Sequence, residues 1–407
     1  MTYPEYIKKC IDMLRSHGFS AYVVGGAVRD TLLCKAVSDW DVTTSATPDQ
    51  TLQTFEGMRT IPTGLKHGTV TVLFEHDGRG VPVEIPTFRV DGEYLDHRRP
   101  SKVSFSTSIG EDLSRRDFTV NAMAFNDEEG LVDLFDGKKD LEGRIIRCVG
   151  DPKTRYSEDA LRIMRAFRFS SQLCFEIEEK TLADTATCAH LLSNIARERI
   201  GTELVKLLAG EGVEYALEKM TEAGIFDVIF GYSPSKSAIK RASKIKSRDP
   251  LARLAMLVLE LDEEKRAEIL SSLRLSNDQK RYALRLCKVA ELEIGGDEKT
   301  LPVLARRFLA DYENICEVAI EMLFASGKNE IKALEGFAEV VRAEREKGNC
   351  LSISSLALDG KDVLAIAREP SQVGTILSDL LAYVIEHPDK NEKNTLLQKA
   401  KELSEKL

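Results

Sequence analysis

Two aspartates separated by one residue, Asp39 and Asp41, have the clearest chemical potential in the sequence. If the segment is a strand, residues i and i+2 face the same side, so the two carboxylates share one face. Such a pair repels itself unless a cation is present. Two Mg²⁺ ions held this way could align an attacking hydroxyl group with a triphosphate. Two ordinary loop aspartates remain the alternative, because an Asp-x-Asp pair alone is a weak signal.

A glycine pair, Gly25-Gly26, lies thirteen residues before the aspartates, between the apolar run 21–24 and the helical run 28–33. A corner from strand to helix lets backbone N–H groups approach a phosphate, and the helix N-terminus favours its negative charge. Arg29 in the first turn would add a positive contact. The dipeptide alone is compatible with a simple tight turn. Its place a short helix before Asp39 makes the combination more informative.

Further charged residues could complete such a site. Glu84 lies in the apolar run 81–85, where a buried charge needs a reason. It could face the same metal ions from a neighbouring strand, or it could simply point outward. Arg116 could contact triphosphate oxygens, while Asp117 and Asn121 could orient the triphosphate or a ribose. A surface cluster of ion pairs is the alternative for this group.

A last charged group follows at 158–168, where the chain turns helical. Asp159, Arg162 and Arg165 fall within the i,i+3 neighbourhood of one predicted helix, and Arg168 extends the stripe. A carboxylate and a guanidinium on one helix offer acceptors and donors to the edge of a nucleobase. A solvated helix face with an ordinary ion pair is the alternative.

The elements that must position these residues divide the chain in two. Strand-like runs near 21–24, 69–73, 81–85 and 118–125 alternate with helical stretches near 5–16, 27–33 and 48–56. From about 156 onward helical spacing dominates, including 251–261, 265–273, 278–292, 313–326 and 330–347. The predicted fold class is therefore α+β, with a mixed-sheet head followed by an all-α remainder. The charged segment 89–110 is predicted to be a lid-like loop, and the Lys/Glu-rich tail 386–407 to fray.

Composition excludes several classes of protein. The 407 residues suggest about two to four domains, and 43% hydrophobic against 30% charged residues excludes a wholly disordered chain. No run of 18 uncharged apolar residues and no secretory signal is visible, so we expect no membrane span. Eight scattered cysteines indicate reduced thiols and a cytoplasmic location. A net charge of -9, taken alone, argues against nucleic-acid binding.

The motifs together resemble the class II nucleotidyltransferases of the DNA polymerase β superfamily. That family comprises the bacterial-type CCA-adding enzymes (tRNA nucleotidyltransferases) and the bacterial poly(A) polymerases. The runs that carry the resemblance occur in the same order and are VGGAVRD at 24–30, DWDV at 39–42, RRDFTVNA at 115–122, IIRCVGDP at 145–152, EDALRIMRA at 158–166 and ERI at 198–200. The helical remainder resembles the family's neck, body and tail only in character and length.

The resemblance implies roles for individual residues. Asp39 and Asp41 match the Mg²⁺-binding catalytic carboxylates, and Glu84 is a less secure third. Triphosphate and nucleotide contacts are implied for Gly25, Gly26, Arg29, Arg116, Asp117 and Asn121. Asp159 and Arg162 match the pair that recognises the incoming base without a template. Arg165 and Arg168 match further arginines of the nucleotide site.

The implied activity is template-independent addition of CCA to the 3′ end of tRNA from CTP and ATP, with release of pyrophosphate by two-metal-ion transfer. The run TGLKHGTVTV at 63–72 favours CCA addition over poly(A) synthesis. Asp91, Asp96, Arg98 and Pro100 of the charged loop favour full CCA over CC-only addition. Poly(A) polymerase and a partial, CC- or A-adding enzyme stay open as alternatives. A catalytically silent RNA-binding protein would have no evident use for the aspartate pair.

The resemblance also implies an organisation and a partner. We expect a catalytic head at 1–148, a base-recognising neck at 149–210, a body at 211–310 and a tRNA-binding tail at 311–407. The implied partner is tRNA, bound through its acceptor stem and 3′ end. The protein is expected to be a monomer or homodimer, and no other protein partner is evident. Seven basic residues against one acid between Lys236 and Arg253 could contact tRNA phosphates, or form a solvated helix face. Cys34 replaces a usual glycine, and Ala196 a usual capping serine, the latter at a cost of about 1 kcal/mol.

Overall fold

The computed structural model describes residues 1–37, 39–61, 68–91, 103–297 and 299–406. The chain folds into two compact units. The first contains residues 1–240 and 261–280, and the second contains 241–260 and 281–407. The finer division into head, neck, body and tail stays a prediction.

The strands found among the described residues all belong to the first unit. They are β1 (Ala21–Val24), β2 (Val42–Thr44), β3 (Thr60–Ile61), β4 (Thr69–His76), β5 (Arg79–Pro86), β6 (Arg89–Asp91), β7 (Val103–Phe105), β8 (Met123–Asn126), β9 (Gly130–Asp133), β10 (Ile145–Ile146) and β11 (Glu176–Ile177). A four-stranded antiparallel sheet in the order β2-β1-β8-β9 forms the centre, and β3-β4-β5 form a second antiparallel sheet. Strand β1 is buried along its whole length, as expected for a central strand.

Helices occur in both units. They are α1 (Glu5–Ser16), α2 (Gly26–Leu32), α3 (Pro48–Thr54), α4 (Ile109–Ser114), α5 (Gly137–Gly143), α6 (Pro152–Glu158), α7 (Leu161–Leu173), α8 (Glu179–Cys188), α9 (Arg197–Leu208), α10 (Val213–Glu222), α11 (Ile225–Phe230), α12 (Lys236–Ser243), α13 (Pro250–Val258), α14 (Glu263–Ser272), α15 (Asn277–Ala290), α16 (Leu301–Tyr312), α17 (Cys316–Ser326), α18 (Ile331–Glu346), α19 (Gly360–Leu364), α20 (Val373–Glu386) and α21 (Lys393–Lys406). The prediction of an α+β head followed by a helical remainder is confirmed.

Local sequence explains how several of these elements begin. Helix α1 turns Ile7, Cys10, Ile11 and Leu14 inward at helical spacing. Helix α3 starts at a capping box, in which Thr47 and Gln50 satisfy each other's backbone N–H groups. Helix α7 is buried over most of its length and packs against α9. This packing buries two of its charged side chains, Arg162 and Arg168.

The prediction of a strand at 118–125 is wrong for the first half of that range. A 3₁₀ turn occupies Thr119–Asn121, and strand β8 begins only at Met123. The Asp117 carboxylate accepts hydrogen bonds from the Phe118 backbone N–H at 2.8 Å and from Asn121 Nδ2 at 3.1 Å. These local bonds close a turn where β propensity predicts a strand.

The charged segment 89–110 is likewise not a structureless loop throughout. Strand β6 pairs with β7, with Arg89 opposite Phe105, and α4 starts at Ile109. The charged residues outnumber the apolar ones here, so the pairing is invisible to hydrophobic periodicity. Asp91 contributes backbone to β6, whereas Asp96, Arg98 and Pro100 lie outside the described residues. Their predicted roles stay predictions.

The second unit consists of helices in its described part, and its C-terminal segment is folded. The prediction of a frayed tail is wrong, because α21 buries Leu396 and Ala400 in a core with Leu380 and Val384 of α20. In the same unit Glu344 and Arg306 form a buried ion pair at 2.8 Å. The amphipathic spacing of α21 outweighs its high content of Lys and Glu.

Candidate active site

The glycine corner between β1 and α2 is built as predicted. Gly25 has a positive φ of 68°, a conformation that side chains with a Cβ rarely adopt. A Cβ atom at this position would also lie only 3.0 Å from Arg116 Nη1. The Gly25 backbone N–H donates to the Met123 carbonyl at 3.2 Å, which ties the corner to β8. The backbone conformation therefore favours glycine here, and a side chain would also require the Arg116 guanidinium to shift.

A pocket of about 530 Å³ opens beside this corner in the first unit. Most residues predicted to bind nucleotide line it, together with the two aspartates that are predicted to be catalytic. The predicted residues in its wall are Gly25, Gly26, Arg29, Asp39, Asp41, Arg116, Asp117, Asn121, Asp159, Arg162 and Arg165. Glu84 and Arg168 are not part of this lining. Residues separated by up to 140 positions thus meet at one cavity.

The acidic wall of the site contains Asp39, Asp41 and Glu84. The two aspartates are not inside a strand but directly precede β2, and the Asp41 carbonyl accepts a hydrogen bond from the Val24 N–H at 3.2 Å. Glu84, on β5, lines an adjoining cavity of about 410 Å³ with both aspartates. Glu84 is exposed between buried Val83 and Ile85, so its charge is not buried, and it nevertheless lies beside both aspartates. Its predicted role as a third carboxylate stays a prediction.

Electrostatics distinguish Asp41 within this wall. Desolvation raises the pKa of the Asp41 carboxyl, and the neighbouring carboxylates of Glu84 and Asp39 raise it further, while Arg116 acts in the opposite direction. The ionised form is therefore disfavoured in the folded protein. A bound cation would reverse this effect.

The acidic wall fits a hard cation with oxygen ligands. Among the described residues no group of three or more His, Cys, Asp or Glu side chains is arranged to hold a metal ion. Mg²⁺ is commonly held by one or two carboxylates, with water and substrate phosphates completing its shell. Asp39 and Asp41 can supply such a partial set, and the open cavity leaves room for the remaining ligands.

The basic wall is a chain of paired groups. Arg29 binds the Asp30 carboxylate at 2.8 Å and donates from Nη1 to Asn121 Oδ1 at 2.6 Å. The Asn121 amide donates to Asp117, which also accepts from Arg165 Nε at 2.8 Å. Both guanidinium groups are thereby fixed by partners within the protein.

Asp117 is buried at the centre of this chain and stays ionised. Burial alone would raise the pKa of its carboxyl, but Arg165 and the hydrogen bonds from Asn121 and Phe118 outweigh burial and lower the pKa to about 2. The charge of Asp117 in turn raises the pKa of Arg165. Asp117 therefore acts from inside the protein as an anchor for the arginine.

Arg115 and Arg116 share a second buried anchor, Asp112. Arg115 Nη2 lies 2.6 Å and Arg116 Nη2 3.2 Å from the Asp112 carboxylate, whose side chain is fully inaccessible to solvent. Burial would raise the pKa of Asp112, but the two guanidinium groups lower it below its ordinary value. Nε of Arg116 is buried and has no partner within the described chain.

Phe169, on α7, is a member of the pocket that sequence reasoning missed. The guanidinium carbons of three arginines lie over its ring, at 5.3 Å for Arg29, 5.4 Å for Arg165 and 4.1 Å for Arg168. Arg168 is buried, pairs with Glu203 at 3.1 Å and does not line the pocket. As one more apolar residue of a buried helix, Phe169 gives no signal of this role in the sequence.

The predicted base-recognition residues do not share one helix. Helix α6 ends at Glu158, Asp159 is extended with φ of -139°, and α7 begins at Leu161. Asp159 Oδ1 accepts the Leu161 N–H at 3.1 Å, which explains the break. The prediction that Asp159 and Arg162 lie within one helix is therefore wrong.

Each of the two residues has its own partners. Arg162 pairs with Glu158 and donates to the backbone carbonyls of Arg155 at 3.1 Å and Arg115 at 2.8 Å. Asp159 instead faces Arg199 of α9, with Nη2 3.3 Å from Oδ2. Arg199 also lines the pocket and was not predicted, although it lies in the ERI run at 198–200.

Two family models match the chain. "Poly A polymerase head domain" matches residues 21–147, and "Probable RNA and SrmB- binding site of polymerase A" matches 174–235. The CCA-adding enzyme of Ligilactobacillus salivarius is 37% identical over 99% of this chain and 98% of its own length. The chain belongs to the CCA-adding enzyme family. The CCA-adding enzyme of Enterococcus faecalis is 36% identical over 98% of this chain and 97% of its own length.

A solved structure agrees with this assignment. The CCA-adding enzyme of Bacillus stearothermophilus, crystallised in complex with CTP, superposes with a TM-score of 0.82 and 29% sequence identity over 100% of this chain and 99% of its own. The predicted family, and with it a nucleotidyltransferase enzyme, is confirmed. Within the described residues no helix has the length and apolar character needed to cross a membrane. The roles of individual site residues stay predictions.

Proposed function

We propose that the protein adds CCA to the 3′ end of tRNA, using CTP and ATP and releasing pyrophosphate. One observation carries the proposal: a single pocket places an aspartate pair beside anchored arginines and beside Asp159 and Arg162. Template-independent nucleotidyl transfer needs three kinds of group: acids that hold metal ions, cations that bind phosphate and groups that recognise the base. The names of the full-length relatives support the same activity.

In this proposal the basic wall binds the triphosphate. Arg29, Arg116 and Arg165 present guanidinium groups to the pocket, and their anchors hold these groups before substrate arrives. Preorganised donors lower the entropy that binding would otherwise cost. Gly25 and Gly26 have no side chains of their own, so phosphate oxygens can approach the backbone beside the guanidinium groups of Arg116 and Arg29.

The acidic wall prepares the transfer. Asp39 and Asp41 would hold two Mg²⁺ ions, with Glu84 near enough to add charge. Ions held there would supply the positive charge that lowers the pKa of an attacking 3′ hydroxyl and neutralises pyrophosphate as it leaves. The raised pKa of Asp41, to which the neighbouring carboxylates contribute after desolvation, fits a wall that binds a cation. The role of the two aspartates in this proposal is to position the metal ions.

Selection of C and A follows from the chemistry of Asp159 and Arg162. Cytosine and adenine each present an amino group, at N4 and N6, where uracil and guanine present a carbonyl oxygen. A carboxylate accepts a hydrogen bond from an amino group and repels a carbonyl oxygen. Asp159 therefore favours the two correct bases, and Arg162 can donate to the adjacent ring nitrogen. Each mismatched bond costs about 1–3 kcal/mol.

Binding of tRNA is proposed to use basic residues of the helical regions. Arg253 does not belong to this set, because it is buried and donates to the Ile245 carbonyl at 3.1 Å. Arg241 pairs with Glu260 at 2.8 Å. Lys244 and Lys246 are exposed and remain suitable for phosphate contacts. The segment 89–110, predicted from the sequence to be a lid-like loop, is proposed to help change the pocket from C to A selection.

A direct experiment separates this function from poly(A) synthesis, the alternative favoured by the description of the head-domain model. The protein is incubated with Mg²⁺, CTP and ATP on tRNA transcripts that end before C, after C, after CC and after CCA. A hairpin RNA of equal length serves as the matched control. We expect extension of each shortened tRNA to CCA, no extension of complete tRNA and little extension of the hairpin. Long A-tails on any RNA would favour poly(A) polymerase instead.

A further inference from the structure

Arg199 lies where local physics disfavours it. It occupies the first turn of α9, where a cation opposes the helix dipole. The N-cap of the same helix is Ala196, which provides no side-chain hydrogen bond to the first turn. Two unfavourable choices at one helix end are expected at functional rather than at purely structural positions.

The contacts of Arg199 point to Asp159. Its Nη2 lies 3.3 Å from Asp159 Oδ2, while the other carboxylate oxygen accepts the Leu161 N–H at 3.1 Å. Asp159 is thus fixed from two sides, by α9 and by the start of α7. Each carboxylate oxygen has a second acceptor position that remains for a ligand.

Among the residues that the structure describes, no other cation forms an ion pair with Asp159. Arg162 is occupied by Glu158 and by two backbone carbonyls, so it does not pair with Asp159. Nη1 of Arg199 is buried, and none of the described groups accepts from it. Because Arg199 lines the pocket, this side chain combines a fixed end on Asp159 with unsatisfied donor capacity.

We propose that Arg199 is a specificity-determining positioning residue that holds the Asp159 carboxylate ready to accept the amino group of cytosine or adenine. This inference rests on the proposed function. Without Arg199 the carboxylate keeps only its bond from the Leu161 N–H and can rotate about it, so the repulsion that excludes the carbonyl oxygen of uracil or guanine weakens. Loss of Arg199 therefore affects the choice of base more than the rate of transfer.

The test compares CTP with UTP on tRNA lacking its terminus. For Arg199→Ala we expect the ratio of kcat/KM for CTP to that for UTP to fall about tenfold, the size of one hydrogen-bond contribution. The change should lie mainly in KM for CTP and in increased use of UTP, with kcat for CTP much less affected. Arg199→Lys, which keeps the charge, should restore part of the ratio.

Arg197→Ala is the matched control. Arg197 lies in the same turn of α9 but donates to the Ile229 carbonyl at 2.6 Å and does not line the pocket. This variant should lower the melting temperature and leave the CTP/UTP ratio unchanged. If Arg199→Ala does not fold, Arg199→Gln provides the same comparison without the charge.

A double substitution tests whether Arg199 acts through Asp159. In an Asp159→Ala background, Arg199→Ala should change the CTP/UTP ratio less than about twofold, because no carboxylate remains to be positioned. An unchanged ratio in folded Arg199→Ala, or the full tenfold effect in the Asp159→Ala background, would overturn the inference. Failure of the wild-type protein to extend tRNA with CTP would instead overturn the proposed function.

Discussion

The two walls of the pocket carry their charges in opposite ways. On the acidic wall Asp39, Asp41 and Glu84 lie together, and mutual repulsion raises the pKa of Asp41 in addition to desolvation. On the basic wall each arginine has an acidic partner, and the pKa of Asp117 falls to about 2. The surroundings oppose the charge of Asp41 on one wall, whereas they stabilise the charge of Asp117 on the other.

This difference separates function from stability. Groups that repel one another in the folded state contribute to activity at the expense of folding, as functional sites often do. Groups that neutralise one another inside the protein contribute to both. Substitutions on the acidic wall should therefore abolish activity without unfolding the protein, and substitutions of buried anchors on the basic wall should destabilise it.

The largest expected effect is that of Asp41→Asn. Loss of a proposed metal ligand should reduce nucleotide incorporation by about a thousandfold or more, which corresponds to several kcal/mol of transition-state stabilisation. The melting temperature should stay the same or rise, since the ionised carboxylate is disfavoured in the folded state. Primer extension and thermal unfolding measure the two effects.

Asp77→Asn is a suitable control for this variant. Asp77 is exposed in the turn between β4 and β5, and asparagine tolerates its positive φ of 50°. Activity and stability should both match the wild type. Turnover by Asp41→Asn within tenfold of wild type would remove Asp41 from the proposed metal site.

Asp117→Asn should instead lower the stability of the folded protein. Removing the buried charge leaves Arg165 without its partner, which costs roughly 3 kcal/mol of unfolding free energy. Denaturant titration measures this loss, and the affinity for CTP should fall as well. A variant as stable as the wild type would show that the basic wall is not preassembled around Asp117.

The same anchor predicts a pH dependence of stability. The pKa of Asp117 is lowered from 3.8 to about 2 on folding, so its contribution is fully present above pH 4 and is lost as pH falls through about 2. Urea denaturation between pH 5 and pH 2 should show a steeper decline for wild type than for Asp117→Asn. Parallel curves would contradict the assigned ion pair.

Phe169→Leu should have a smaller effect. Loss of the ring removes contacts with three guanidinium groups, each worth about 0.5–1 kcal/mol. We expect KM for CTP and for ATP to rise several-fold together, with no change in the choice of base, in contrast to Arg199→Ala. Phe169→Tyr keeps the aromatic face and should restore KM. A leucine variant with normal KM would exclude a role of the ring in positioning these arginines.

The smallest effect concerns the uncapped helix α9. Ala196→Ser would provide the missing N-cap oxygen and should stabilise the protein by about 1 kcal/mol. Because Ala196 does not line the pocket, incorporation of CTP should not change. Differential scanning calorimetry measures the shift. A lower melting temperature would mean that serine cannot adopt the capping conformation here.

Features set by neighbours in sequence could be predicted. The glycine corner follows from Gly25 and Gly26 themselves, and the proximity of Asp39 to Asp41 follows from their spacing. Strands β1, β4 and β5 follow from their apolar residues. These interactions are local, so one segment contains the information.

Features set by distant partners could not be predicted. Asp159 pairs with Arg199, 40 residues away, rather than with Arg162. Its carboxylate ends one helix and begins the next, which helical periodicity does not reveal. Phe169 resembles any core residue until the arginines of other elements are placed around it. For Glu84 the sequence left two alternatives open, and only the alternation of buried and exposed residues along β5 shows that its side chain is exposed.

The most direct test of the account is to determine the 3′-end sequence of tRNA extended by the purified protein. A tRNA lacking its last three nucleotides is incubated with Mg²⁺ and all four nucleoside triphosphates, and the products are sequenced. The account predicts ends that read CCA and extend no further. Ends that stop at CC, carry long runs of A, or contain U and G as often as C and A would contradict it.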